Sequence, residues 1–184
     1  MLSGKHPMDS LIASDRIPAN ASGERLSIEQ LWQLLDEVKD PEVPAISVVE
    51  LGVVRSIEWQ DDTLHVCVTP TYSGCPATEL IEQMIQSALE QAGLRQFQLE
   101  TRLAPAWTTD WITPAGREKL REFGIAPPQG SASKLSLMGH SEIIECPHCG
   151  SQQTEQVSEF GSTACKALYR CRDCLEPFDY FKCI

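Results

Sequence analysis

Two pairs of cysteines near the C-terminal end of the sequence restrict its possible folds more than any other feature. Cys146 and Cys149 form one C-x2-C motif, and Cys171 and Cys174 form a second one after 21 intervening residues. Each motif can direct two thiolates at one ion, and two motifs complete a tetrahedral shell of four sulfurs, which Zn²⁺ accepts readily. The spacing therefore predicts a zinc ribbon over residues 142–184.

The ligand count predicts what this zinc does. Four protein ligands leave no open position for water, which favours a structural zinc over a catalytic one. Three alternatives remain open: His148 replaces one ligand, Cys165 replaces Cys171, or the four thiolates hold iron, which they also suit. Cys183 has no assigned role. Because so short a segment buries little apolar surface, we expect it to unfold without its metal.

The charge balance argues against two classes of partner. The sequence has 15 basic and 26 acidic residues, a formal net charge of −11. Nucleic acids and anionic membrane surfaces bind clustered Lys and Arg, so neither is expected. No stretch approaches the ~20 apolar residues of a membrane span, and the first residues lack the apolar core of a secretion signal. We therefore expect a cytoplasmic protein whose cysteines bind metal rather than form disulfides.

The residues before the cysteine motifs have the pattern of a small α+β domain. Ser27 and Gln30 form a capping box that starts a first helix, and a second helix follows Cys75 and Pro76. A third begins at Pro114. Alternating apolar residues predict strands over 46–59, 63–69 and 97–103. The order α-β-β-α-β-α predicts an α+β fold with a sheet of three or slightly more strands, covered on one face.

Changes in composition give the expected domain boundaries. No periodicity is visible over 1–24, which we interpret as a flexible N-terminal tail. The α/β domain is expected over 25–128. A Pro/Gly/Ser-rich linker follows over 129–141, and the zinc ribbon occupies 142–184.

Cys75 is the candidate functional thiol of the α/β domain. It precedes Pro76, a favoured first residue of helices, and helix N-termini lower the pKa of a thiol. Thr71 lies shortly before it, and the turn containing Asp40 and Glu42 offers two carboxylates that the hairpin could bring to the same sheet edge. The alternatives are a thiol that only packs and carboxylates that only stabilise a helix end and a turn.

Both parts of the sequence resemble a known family. The evidence for the first part, roughly residues 27–128, is DPEVPAISVVELGVVRSIEW, VTPTYSGCPATELIEQMI, a tryptophan-containing loop and FGIAPP. These segments resemble the metal–sulfur cluster assembly factor family, which includes SufT-like proteins and cytosolic iron–sulfur targeting factors. The second part, ECPHCGS to FGSTACKALYRCRDCLEPFDYFKCI, is similar to one subgroup, the accessory proteins of the phenylacetyl-CoA 1,2-epoxidase system.

The resemblance implies a function and a functional site. In this family a DPE turn and a TxxxCP cysteine mark the functional edge of a small α/β domain, and here they are Asp40, Glu42, Thr71 and Cys75. Relatives assist the insertion of iron or iron–sulfur clusters into client proteins, and are often dimeric. The resemblance therefore implies a maturation protein of aerobic phenylacetate degradation, with a transient iron or cluster cargo. Its partners would be the oxygenase and reductase subunits of the epoxidase, and a homodimer is possible.

Two other functions are weighed against this one. The chain could be a stable structural or regulatory subunit of the epoxidase, or an independent thiol enzyme, although no base is paired with Cys75 in the sequence. It is not expected to be the oxygenase itself. A di-iron oxygenase needs Glu-x-x-His pairs on helices, and none of the four histidines has one in a predicted helix.

Overall fold

The chain forms two small β-sheets and three α-helices within the residues that the computed structural model describes, 25–129 and 143–182. We call the first range the α/β region and the second the ribbon. The predicted tail, all of the predicted linker except its first residue, and Cys183 lie outside these ranges. None of the described helices is long and apolar enough to cross a membrane.

The α/β region has the predicted order of elements. Its helices and strands are α1 (Ile28–Asp36), β1 (Val54–Gln60), β2 (Thr63–Val68), α2 (Thr78–Gln91), β3 (Phe97–Thr101) and α3 (Pro114–Glu122). Ser27 and Gln30 form the predicted capping box. Strands β1 and β2 are antiparallel, as expected for a hairpin, whereas β3 lies parallel to β2. A parallel pair needs a crossover connection, which α2 supplies. The predicted α+β class is confirmed.

The core of this region lies between the helices and the sheet. The amphipathic pattern of α1 and α2 and the alternation of β2 direct apolar side chains to this interior. The side chains buried there include Leu31, Leu35, Leu64, Val66, Val68, Ile81, Ile85 and Leu89.

The prediction of a strand over 46–59 is wrong for its first half. Residues 48–52 form a turn, Ser47 makes only an isolated β-bridge with Lys39, and β1 begins at Val54. The reason is a second capping box: Ser47 Oγ accepts from the N–H of Glu50 (3.0 Å), and Glu50 Oε2 accepts from the N–H of Ser47 (3.1 Å). This S-x-x-E pattern starts a helical turn. The apolar residues around it give the segment its misleading β appearance.

Gly52 closes this turn in the left-handed conformation, with a φ of +74°. A Cβ atom there would lie 2.7 Å from the Cβ of Trp111, closer than atoms can approach. Glycine has no side chain, so it adopts the left-handed conformation without strain and leaves room for Trp111. The two neighbours of Gly52, Leu51 and Val53, line a cavity between the two parts of the chain.

The second sheet joins the two parts of the chain. Its strands are β4 (Ile125–Ala126), β5 (Thr154–Ser158), β6 (Lys166–Cys171) and β7 (Pro177–Phe181), in the order β4-β7-β6-β5. β5, β6 and β7 form an antiparallel meander within the ribbon. β4 comes from the end of the α/β region and pairs with β7 in parallel. A strand of the first part therefore extends the sheet of the second.

The two parts also share their cores. Phe181, at the end of β7, and Cys165, just before β6, are buried in the core of the α/β region, whereas Ala126 is buried in that of the ribbon. The ring centroids of Trp107 and Phe181 are 6.0 Å apart, and the indole N–H donates to the carbonyl of Leu51 (3.1 Å). The domain boundaries stay a prediction, but the described residues on both sides of the linker pack together.

Candidate functional site

The four cysteines of the two C-x2-C motifs converge on one point. The Sγ atoms of Cys146 and Cys174 are 3.7 Å apart, and those of Cys149 and Cys171 are 3.6 Å apart. With Zn–S bonds of about 2.3 Å, the edge of a tetrahedral four-sulfur site is about 3.8 Å. All four sulfurs lie within 4.8 Å of one another, so they can hold a single metal ion.

Backbone geometry fixes both motifs around this point. Gly150 (φ +74°) and Leu175 (φ +65°) occupy the position after each motif in the left-handed conformation that turns the chain back. The N–H of Gly150 donates to the carbonyl of Cys146 (2.9 Å). The N–H of Cys174 points at Cys171 Sγ (3.5 Å) and is the largest of the influences that lower the pKa of Cys171 to about 6. Cys171 is therefore a thiolate at neutral pH, the form that binds metal.

The structure brings neither alternative ligand into this group. The ring of His148 packs edge-on against Phe178, with centroids 6.4 Å apart, and the metal-competent group does not include it. Cys165 lies away from the group, in the core of the α/β region. The spacing argument from the sequence therefore selected the four sulfurs that the fold assembles.

The other candidate residues line a cavity between the α/β region and the ribbon. Asp40, Glu42, Thr71 and Cys75 all contribute to its wall, with apolar side chains filling much of the rest. Its volume is small, ≈ 20 Å³, which is room for a water molecule or an ion. The fold thus brings together the four residues that the resemblance indicated.

Cys75 lies near the N-cap of helix α2, as expected, in the turn that leads into the helix. Helix α2 begins at Thr78, and Ala77 is its N-cap. The N–H of Thr78 donates to the carbonyl of Cys75 (3.2 Å), closing a turn with Pro76 at its second position. Proline is favoured at that turn position.

Glu82 of α2 also lines the cavity, and the two carboxylates of the turn, Asp40 and Glu42, differ in their contacts. Asp40 Oδ1 accepts from the N–H groups of Glu42 and Val43 (2.8 Å each), so this side chain holds the turn together. Burial raises the pKa of Asp40. It also raises the pKa of Glu42, and the charge of Asp40 adds to that rise. The turn-stabilising alternative thus describes Asp40, whereas Glu42 is the carboxylate with fewer fixed contacts.

A buried lysine from the ribbon balances these charges. Lys166, the first residue of β6, is only 4% exposed, and its Nζ lies 3.7 Å from Asp179 Oδ2. Its positive charge lowers the pKa of both Asp40 and Glu42, against the larger effect of burial. The ribbon therefore places a cation next to the acidic turn of the α/β region.

Cys165 also lines the cavity, and sequence reasoning missed this position. Its side chain is 4% exposed, and its Sγ lies 3.0 Å from the hydroxyl oxygen of Thr163. Burial raises the pKa of the Cys165 thiol, and the nearby Glu42 raises it further. Cys165 and Cys75 are distant in sequence, and no local pattern signals that they line the same cavity.

Comparison with known proteins assigns the family. Residues 130–182 match the model described as PaaD zinc beta ribbon domain, and residues 28–95 match the model for iron–sulfur cluster assembly protein. A protein of Escherichia coli (strain K12), named as a subunit of 1,2-phenylacetyl-CoA epoxidase, is 48% identical over 157 residues, which cover 85% of this chain and 93% of that protein. The chain belongs to the PaaD family. The resemblance found in the sequence is thereby confirmed.

The α/β region of this PaaD-family chain has further relatives. The Fe-S protein maturation auxiliary factor YitW of Bacillus subtilis (strain 168) is 30% identical over 84 residues, covering 45% of this chain and 81% of that protein. Among solved structures, a conserved hypothetical protein from Thermotoga maritima is 28% identical with a TM-score of 0.46, covering 52% of this chain and 95% of the other.

Proposed function

We propose that this PaaD-family chain is a maturation protein that assists the insertion of iron or an iron–sulfur cluster into a component of the phenylacetyl-CoA epoxidase. The observation that carries the proposal is the cavity that gathers Cys75, Asp40, Glu42 and Thr71. Thiolate and carboxylate are both ligands for iron. The names of the relatives, an epoxidase subunit and an Fe-S maturation factor, agree with this chemistry.

The incomplete assembly of the cavity supports a transient cargo. Among residues 25–129 and 143–182, three or more His, Cys, Asp or Glu ligand atoms lie within 4.8 Å of one another only in the four-cysteine group of the ribbon. The donors of the cavity are more widely spaced. Such a site holds an ion less firmly than the ribbon does, which suits a carrier that must release it.

The same cavity gives little support to an independent thiol enzyme. Its volume of ≈ 20 Å³ is far too small for a coenzyme A thioester. No histidine is among the described residues that line it, so Cys75 has no imidazole base within the cavity. Thiol catalysis normally needs such a base or another means of lowering the pKa of the thiol.

We also propose that the four cysteines of the ribbon hold a structural zinc ion. The sulfur–sulfur distances of 3.6 and 3.7 Å suit a tetrahedral zinc site, and the matching family model is named for zinc. Metal analysis of the purified chain tests this: one zinc per chain is expected, whereas bound iron with visible colour would contradict it.

Iron analysis of the partners tests the maturation function. The epoxidase oxygenase and reductase are each produced with wild-type chain, without it, with Cys75→Ser and with Cys67→Ser. Cys67 is buried in β2 but does not line the cavity, so it is the matched control. We expect the iron content of one partner to fall when the chain is absent and when it carries Cys75→Ser. With wild-type chain or Cys67→Ser the iron content should be normal. Normal iron in both partners without the chain would refute the proposal.

A stable subunit of the epoxidase is the second candidate, favoured by the name of the Escherichia coli relative, which calls that protein a subunit. In that case iron content is unchanged, but turnover requires this chain at matching stoichiometry. Gel filtration would then show a complex that persists during turnover. A maturation protein is instead dispensable once the partner is loaded.

A further inference from the structure

We propose that Cys165 is the second functional thiol of the cavity, so that the ribbon and the α/β region together form a dithiol site for a divalent cation of borderline softness. The cargo of such a site would be ferrous iron. This inference deepens the proposed function and rests on it. It assigns to the ribbon a direct chemical part in the site, in addition to its structural metal.

The first support is the position of Cys165. The N–H of Lys182 donates to the carbonyl of Cys165 (2.9 Å), and the N–H of Lys166 donates to the carbonyl of Thr163 (3.1 Å). These bonds fix the backbone on both sides of the thiol at the start of β6. The thiol then lies in the wall of the cavity that Cys75 also lines.

The second support is a third donor next to the two thiols. Glu42 lines the same cavity, and its charge adds to the effect of burial in raising the pKa of the Cys165 thiol. Glu42 and Cys165 are therefore close enough to repel one another when both are ionised, and Cys75 lines the same cavity. A divalent cation removes this repulsion and takes the place of the two thiol protons, which pass to solvent. Two sulfurs and one carboxylate suit a cation of borderline softness better than Mg²⁺ or Ca²⁺.

The third support is the charge that the ribbon brings with the thiol. Lys166 follows Cys165 directly, is 4% exposed and lies near both carboxylates of the acidic turn. Lys166 pairs with Asp179 (3.7 Å), and its charge also acts on Asp40 and Glu42. Beside two thiolates and Glu42 it stabilises negative charge that would otherwise be costly to bury.

Metal titration of the full-length chain tests the site. The zinc-loaded protein is titrated with Co²⁺ alone, without oxygen, and thiolate-to-cobalt charge-transfer absorption is followed while retained zinc is measured. Wild type should bind one Co²⁺ beyond its zinc. Cys165→Ser and Cys75→Ser should each weaken this binding at least about tenfold and lower the charge-transfer intensity by roughly half, one of two sulfur ligands being lost. Cys67→Ser, the control, should leave both unchanged. Unchanged affinity and absorption in Cys165→Ser would overturn the inference.

Alkylation of the wild-type protein removes any dependence on the folding of a variant. Bound Fe²⁺ should slow the alkylation of Cys75 and Cys165 to the same extent, as measured by mass spectrometry. Protection of Cys75 without protection of Cys165 would also overturn the inference.

The iron content of the epoxidase partners separates failure of this inference from failure of the proposed function. Low iron with both Cys75→Ser and Cys165→Ser supports both. Low iron with Cys75→Ser but normal iron with Cys165→Ser refutes the role of Cys165 and leaves the maturation function intact. Partners that load normally without the chain refute both.

Discussion

The two cysteine sites of this chain differ in how far the fold assembles them. In the ribbon, four sulfurs lie within 4.8 Å of one another, and backbone turns hold them there. In the cavity, two thiols and the carboxylates of Asp40, Glu42 and Glu82 share a wall, and Asp40 and Cys165 are each held by contacts to their own segment. A site that is complete before the metal arrives suits a resident ion, whereas an incomplete one suits an ion that must leave.

The difference extends to what stabilises each part of the chain. The ribbon has only a small core of its own, so we expect it to depend on a metal bound by its four cysteines. The α/β region has an extensive apolar core and depends on packing, to which the ribbon adds Phe181 and Cys165. The experiments that follow test this contrast, from the largest expected effect to the smallest.

Loss of one ribbon ligand should have the largest effect. Cys171→Ser removes a quarter of the sulfur shell, and binding of a structural zinc contributes about 10–16 kcal/mol in small zinc domains. We expect loss of zinc and unfolding of the ribbon, seen by metal analysis and protease sensitivity. Cys165→Ser, in the same part of the chain, should retain its zinc. Full zinc content in Cys171→Ser would contradict the assignment of the four ligands.

Truncation of the aromatic contact between the two parts should have the next largest effect. Phe181→Ala leaves a cavity beside Trp107 and should lower the free energy of unfolding by about 3–5 kcal/mol. Urea denaturation followed by tryptophan fluorescence measures the change. Phe160 is 61% exposed, so Phe160→Ala should cost only about 0.5 kcal/mol. Equal effects of the two substitutions would show that the ribbon does not share the core.

The two turns after the C-x2-C motifs should respond in opposite directions. Gly150 and Leu175 have the same left-handed conformation, which costs roughly 1–2 kcal/mol for a residue with a side chain. Gly150→Ala should therefore destabilise the zinc-loaded protein by about 1 kcal/mol. Leu175→Gly should stabilise it by less than about 1 kcal/mol, since glycine also makes the unfolded chain more flexible. A loss of stability in Leu175→Gly would mean that its side chain makes a contact worth more than the strain.

The smallest expected effect concerns pH. Burial raises the pKa of Asp40 in the folded protein, so the stabilising contribution of its bound proton is complete below the ordinary pKa of aspartate. That contribution is lost as the pH rises through the raised value. Asp40→Asn keeps an oxygen that accepts from the turn N–H groups but does not titrate. The free energy of unfolding of the variant minus that of wild type should therefore increase with pH across this window and then level off.

Urea unfolding at a series of pH values measures this difference. A difference that falls as pH rises through the window in Asp40→Asn would mean that the charged form of Asp40 is the one that stabilises the fold.

Local patterns predicted the elements whose determinants are close in sequence. The capping box of Ser27 and Gln30 and the alternation of β2 each lie within one short segment, and both correspond to observed elements. The C-x2-C motifs likewise need only a turn each to converge. The turn over 48–52 was readable from Ser47 and Glu50, but the surrounding apolar residues gave the stronger pattern.

Contacts between the two parts of the chain could not be predicted in this way. Strand β4 consists of Ile125 and Ala126, too short to have a periodicity, and its partner Asp179 lies on the far side of the linker. The same is true of Cys165, which lines the cavity, and of Lys166 next to it, because both lie on the far side of the linker from the other cavity residues. The resemblance indicated one half of the cavity, and the fold supplied the other.

Strand β4 also affects how safely the ribbon can exist on its own. β7 contains Phe178, Tyr180 and Phe181, and without β4 it would form the edge of its sheet. Unpaired N–H and C=O groups on an edge with such aromatic side chains invite pairing with another copy, the usual route to aggregation. Strand β4 pairs with this edge of β7, and with two residues it is too short to form a new exposed edge that another chain could pair with. The isolated ribbon should therefore self-associate, whereas the intact chain is protected by two residues of its neighbouring region.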